Sequence, residues 1–230
     1  MSIYIFFITC RFFYRDMKEQ VQKEWDIFLT NYPQLSVCAD DILAAYDILK
    51  TAGRRNKLIM ICGNGGSAAD AEHITGELMK SFKLKRPVSE EIRCSLEALF
   101  PDNGAYIADH LQVGIRALSL TGQSSFSSAF ANDVAPDMVF AQQVFNYGCG
   151  SDVLWAISTS GNSKNVVNAC IVAHVSGLYT IGMTGEHGGK LSEICDVTIR
   201  VPACETFRVQ EYHLPVYHTL CAMLEAEMFS

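Results

Sequence analysis

Three short segments concentrate groups that could hold an anion. Gly63-Asn64-Gly65-Gly66-Ser67 follows an apolar run and opens a helical pattern, so its glycines let the backbone approach a ligand while Ser67 and free amides face it. Ser158-Thr159-Ser160-Gly161-Asn162-Ser163 sets four hydroxyls between a second apolar run and a helical segment over Lys164 to Val175. One serine suffices for a helix cap, so four hydroxyls without a lysine predict a phosphate monoester on a small molecule, held by neutral donors. Thr184-Gly185-Glu186-His187-Gly188-Gly189 is a third turn of the same small, polar kind. Neither G-x-G-x-x-G nor Gly-Lys-Ser/Thr occurs at these turns, so no nucleotide cofactor is expected.

Proton-transfer and metal-ligating candidates lie on two helical segments. His73 and Glu77 are four apart after the first turn, hence on one helix face. Such a pair by itself is more often a surface pair than a ligand set. The last segment supplies Gln210, Glu211, His213 and His218, with Pro215 expected to kink it. Gln210 and His218 stand about 12 Å apart along a straight helix and roughly 80° around it. A carboxylate and an imidazole beside a phosphate pocket suit aldose-ketose isomerisation, in which a proton leaves one carbon and returns to its neighbour. A zinc ion held by His73, Glu77, Gln210 and His218 could instead polarise the carbonyl. Spacing leaves both readings open.

The elements that must position these groups alternate. From Met17 two amphipathic helices, about Lys18 to Leu29 and Ala39 to Ala52, precede five apolar runs over Lys57 to Cys62, Ala117 to Thr121, Val153 to Ser158, Tyr179 to Met183 and Val197 to Val201. A helix over Ala68 to Phe82 follows the first turn, and helical pattern fills most other gaps. Such runs predict strands buried on both faces of a parallel sheet, with the ligand beyond their carboxyl ends. A polar stretch over 83–109 reads as an insertion carrying a helix or two, within a single domain over 17–230. Trp25, Trp155, Met79 and Met183 are expected to pack, and His110, His174 and His187 to lie at the surface or in loops. Residues 1–16 read as an N-terminal extension, too short and apolar over too few positions to span a bilayer and without the flanks of a signal peptide, so that Met17 is a candidate start.

With 230 residues, 49% hydrophobic and 19% charged, the chain has enough apolar material for one globular α/β or α+β domain, which excludes disordered and fibrous classes. Eighteen basic against twenty-five acidic residues give a net charge of −7, and no basic stripe forms, so neither nucleic acid nor an anionic membrane is an expected partner. Nine widely spaced cysteines without a C-x-x-C pair predict reduced thiols in a cytoplasmic protein. Two amphipathic helices with apolar faces to cover predict a homo-oligomer.

Taken together, the segments over 62–73 with Glu77, Ala131-Asn132-Asp133, 157–163, Thr184-Gly185 with Gly188-Gly189-Lys190, and Arg208-Val209-Gln210-Glu211-Tyr212-His213 with His218 resemble the SIS (sugar isomerase) domain family, and within it the phosphoheptose isomerases. The resemblance runs from about Met17 to the C-terminus apart from the insertion. It implies an α/β fold, a three-layer αβα sandwich around a five-stranded parallel sheet of flavodoxin-like order, with two N-terminal helices and a long C-terminal one. It also implies a homotetramer that interconverts sedoheptulose 7-phosphate and a heptose 7-phosphate. Residue by residue it implies Ser67, Ser158, Thr159, Ser160 and Ser163 on the phosphate, Asn64 and Gly65 beside the sugar with Gln123 and Gln210 also against the substrate, and Glu77 and His218 as the acid/base pair. In zinc-binding members the ligands correspond to His73, Glu77, Gln210 and His218. Two positions depart from the pattern: Gln123 stands where those isomerases usually carry an aspartate against the sugar, and Phe207 where they carry a small residue or an aspartate. Both leave room for a second reading, a non-catalytic module that binds a phosphosugar or a protein partner as a regulator.

Overall fold

The computed structural model of the protein describes residues 17–230, so the expected extension over 1–16 lies outside the described residues. Five parallel strands, β1 (Ile59–Cys62), β2 (Ala117–Ser119), β3 (Val153–Ile157), β4 (Tyr179–Thr184) and β5 (Val197–Arg200), lie in the order β2-β1-β3-β4-β5. Each expected strand is present to within one or two residues at its ends. Ladder pairing sets those ends: the Leu58 amide, for example, donates to Asp152 Oδ1 (3.0 Å) rather than to a neighbouring strand.

Alternation along the strands divides the core. Ile59 and Ile61, Val153, Trp155 and Ile157 face one helical layer, made by α1 (Glu19–Asn31), α2 (Ala39–Arg54), α3 (Gly66–Met79) and α10 (Thr206–Phe229). Met60 and Cys62, Leu154 and Ala156 face the other, made by α7 (Val139–Tyr147), α8 (Lys164–Val175) and the single turn α9 (Leu191–Ile194). Strands β1 and β3 are buried on both faces, which is why their sequences are continuous apolar runs. The same reading fails at β5, an edge strand whose Thr198 is half-buried and whose Arg200 is exposed. Trp25, Trp155 and Met183 are buried as expected, whereas Met79 is 56% exposed, because it sits on the last turn of α3 facing away from Leu78 and the core.

The insertion is a helical hairpin, α4 (Glu90–Leu99) and α5 (Gly104–His110), whose ends close on each other through an antiparallel bridge between Pro87 and Gln112. One buried ion pair roots it. Arg86 Nε donates to Glu225 Oε1 at 2.8 Å, and the same carboxylate accepts from the amides of Phe82, Lys83 and Leu84 at 2.7–3.0 Å. After β2 comes α6 (Ser124–Asp133), which begins just after Gln123.

Helix α10 continues through Pro215. The carbonyl of Glu211, which the proline ring leaves without its helical donor, belongs to an exposed residue that water can serve. Among the described residues no helix is long and apolar enough to cross a membrane. The eight described cysteines are all free.

Candidate active site

Chain order reverses between β1 and β3: one connection leaves β1 for β2 on one side, and the next returns to β3 on the other. At such a switch point the loops leaving the two strands diverge and open a crevice beyond their carboxyl ends. Those two loops are the first and second polar turns. Asn64 and Asn165 join them by a reciprocal pair of amide hydrogen bonds, 2.9 and 2.8 Å. Gly65, with φ +55°, supplies the left-handed step that starts α3.

The second turn is folded around its own hydroxyls. Ser158 Oγ donates to Ser163 Oγ at 3.1 Å, and the Asn162 amide donates to Ser160 Oγ at 3.2 Å. Gly161 has φ +66°, and a Cβ there would run into the carbonyl oxygen of Gly188. The third turn therefore lies directly on the second, and Lys190 N donates to Asn162 Oδ1 at 3.1 Å to hold it there. Of the expected phosphate residues, Ser160 is exposed, Thr159 and Ser163 are half-buried, and Ser67 and Ser158 are buried beneath the turns.

Helices α3 and α10 lie side by side and run in the same direction. The Gln210 side chain lies against Gly66 at the start of α3. Two turns on, His218 Nε2 is 3.4 Å from His73 Nε2, and further still Glu225 takes the amides that follow α3. This pairing sets the predicted proton-transfer groups together. His73 Nε2 is also 3.3 Å from Glu77 Oε1, so His73 stands between the buried Glu77 carboxylate and the half-buried His218 imidazole. Lys80 Nζ lies 3.2 Å from Glu77 Oε2. The other ring nitrogen of His73 is 3.0 Å from the Tyr217 hydroxyl, which in turn reaches Asp70 Oδ1 at 3.3 Å.

Burial lowers the His218 pKa from its ordinary value; His73 lowers it further and Glu77 opposes the shift. Burial raises the Asp70 pKa, against the Tyr217 hydrogen bond and the nearby His73, which lower it. Sequence reasoning missed Asp70 and Tyr217. The signal for Asp70 was its place three residues before His73 and seven before Glu77 on one helix face; Tyr217 adjoins His218.

His73 stands at a ligand-like distance from each neighbour, but His73, Glu77 and His218 are not a group whose ligand atoms all lie within 4.8 Å of one another, so as folded they do not close around one ion. Both separations from His73 Nε2 are close to the roughly 3.4 Å edge of a tetrahedron of N and O ligands about 2.1 Å from zinc, and Tyr217 fixes the ring so that Nε2 faces the site. Gln210 is not gathered with them: its amide stays against Gly66, two turns away. Gln123 is also elsewhere, exchanging hydrogen bonds of 3.0 and 3.2 Å with the Tyr147 hydroxyl at the end of α7. Phe207 is 56% exposed beside Arg208, whose guanidinium lies 5.7 Å from its ring centre.

Among the described residues, the group of three His, Cys, Asp or Glu side chains with ligand atoms all within 4.8 Å of one another is Glu186, His187 and Cys204. His187 is an exposed loop residue, as expected, but it is not isolated. Nothing in the sequence brings Cys204 beside it.

The SIS domain family matches residues 35–112 and 93–185. A phosphoheptose isomerase of Rhodospirillum rubrum is 36% identical over 197 residues, covering 86% of this chain and 91% of its own. That of Geotalea daltonii is 35% identical over 214 residues, covering 93% and 96%. The solved phosphoheptose isomerase of Neisseria gonorrhoeae superposes with a TM-score of 0.68 at 29% identity, covering 90% of this chain and 98% of that one.

Proposed function

The chain belongs to the SIS domain family, in its phosphoheptose isomerase branch, and we propose from that premise that it interconverts sedoheptulose 7-phosphate and an aldoheptose 7-phosphate. The observation that carries the chemistry is the contact of His73 with both Glu77 and His218, on paired helices that start from the ligand-binding edge of the sheet. In this reading the hydroxyls and amides of the second turn, with Ser67, hold the phosphate, and Asn64 and Gly65 border the sugar.

Isomerisation needs two proton movements, one between adjacent carbons and one between their oxygens. Glu77 and His218 divide these. With its pKa lowered, His218 is neutral near pH 7 and can both accept and return a proton at a sugar oxygen. Glu77, partly shielded from water, serves the carbon-bound proton, and the intermediate between the two carbonyl forms is an enediol. His73 and Tyr217 hold the pair in place.

A zinc ion that polarises the substrate carbonyl when bound would be held by His73, Glu77 and His218 only after Glu77 and His218 draw in around it, with Gln210 if its amide swings from Gly66. We place the working form as a homotetramer in the cytoplasm. Apolar side chains left on the surface, among them Val37, Leu99, Phe100, Tyr106 and Phe145, support assembly.

The test is NMR of the protein with sedoheptulose 7-phosphate in deuterated water, with and without zinc. An aldoheptose 7-phosphate should form with deuterium at C2. Glu77→Gln should keep phosphosugar binding and lose turnover by at least about 100-fold. Saturable binding without exchange in the parent protein would overturn the isomerase assignment and favour the regulatory module.

A further inference from the structure

A second set of ligating atoms lies apart from the His73 cluster, where the loop after β4 meets the loop between β5 and α10. The Glu186 amide donates to the Ala203 carbonyl at 3.0 Å, which brings the two loops edge to edge. That contact sets Cys204 opposite Glu186 and His187: Cys204 Sγ is 2.7 Å from Glu186 Oε1 and 3.6 Å from His187 Nε2, and the same two Glu186 and His187 atoms are 3.7 Å apart.

We propose that Glu186, His187 and Cys204 form a zinc site of three protein ligands with an open fourth position. A tetrahedral ion with sulfur about 2.3 Å away and N and O ligands about 2.1 Å away needs ligand edges of about 3.4–3.6 Å. The sulfur–nitrogen and nitrogen–oxygen edges already have nearly those lengths. The sulfur–oxygen edge is shorter because the thiol hydrogen bonds to the carboxylate; replacing that proton by the ion lengthens it by just under 1 Å. The step balances without any oxidant: a zinc–sulfur bond forms, the thiol proton leaves to solvent, and the carboxylate exchanges a hydrogen bond for the metal. One thiolate and one imidazole select zinc over magnesium or calcium, which take oxygen ligands. All three side chains are exposed, so an ion can enter without opening the fold.

The place of the cluster gives the ion a role. Glu186 and His187 belong to the turn whose Gly188 lies on Gly161 of the hydroxyl-rich turn. Zinc there ties the segment leading into α10 to the turn that braces the phosphate-binding loop.

The experiment is a titration of the chelator-stripped full-length protein with cobalt(II), which takes zinc sites and gives a thiolate-to-metal charge-transfer absorption only when sulfur is a ligand. The His73 cluster contains no cysteine, so a band that is lost with Cys204 reports this site and not that one. The parent protein and Glu77→Gln should both develop the band to the same final intensity, and zinc should bleach it. Cys204→Ser, with circular dichroism matching the parent, should lack it and bind one fewer zinc per chain, and His187→Ala should weaken cobalt binding at least tenfold. Absence of the band in the parent, or its persistence in Cys204→Ser, overturns the proposal.

Discussion

His213 should make the protein acid-sensitive. Its ring is fully buried on α10, neither nitrogen has a well-formed hydrogen bond, and burial pulls its pKa from 6.5 down to about 4, with the Thr184 backbone opposing only in part. The unfolded chain therefore binds a proton that the folded one refuses. Above about pH 6.5 both states are neutral and no penalty exists; as pH falls toward 4 the unfolded state gains stability, so folding stability is lost across that window. A difference of about 2.5 pH units at 1.36 kcal/mol each amounts to about 3 kcal/mol. Replacing His213 with leucine, similar in volume, removes this term while any repacking cost applies at every pH. Urea denaturation at fixed protein concentration, followed by circular dichroism from pH 4.5 to 8, should show His213→Leu gaining on the parent by 2–3 kcal/mol, about the integrated term, as pH falls. Parallel curves, their separation constant to within about 1 kcal/mol, would refute the claim that the imidazole is held neutral by burial.

Two further substitutions probe how the site is braced. Glu225→Gln leaves Arg86 buried without its counter-charge and weakens the bonds to three amides, so stability should fall by about 3 kcal/mol or more in the same assay; a loss under about 1 kcal/mol would mean that the pair is dispensable. Gly161→Ala forces a side chain into a left-handed backbone position and against Gly188, so calorimetric titration with sedoheptulose 7-phosphate should show weaker binding. Parent-like affinity would detach the third turn from phosphate recognition.

The layers of this fold were legible because their causes are local. Strands β1 and β3 are apolar at every residue, as burial on both faces demands, and the glycine- and serine-rich turns after them cannot continue either element. The clustering of four hydroxyls at 158–163 was readable for the same reason, since they lie within six residues of chain. Met79 and the edge strand β5 were misjudged because an apolar type or run does not state which face it turns to solvent. Gln123, expected against the sugar, has its amide paired with Tyr147, 24 residues on, a contact that no local pattern announces.

What the sequence alone determined was therefore the kind of sheet, the turns at its carboxyl edge, and the single-helix pair His73 and Glu77. Tertiary structure decided which distant groups meet them. Tyr217 and His218 reach His73 across 144 and 145 residues because α10 runs parallel to α3, and Cys204 reaches His187 across 17 because β4 and β5 are neighbours. Helical periodicity places a residue on its own helix face, but only the packing of whole apolar faces, summed over many contacts, selects the partner helix, its direction and its register.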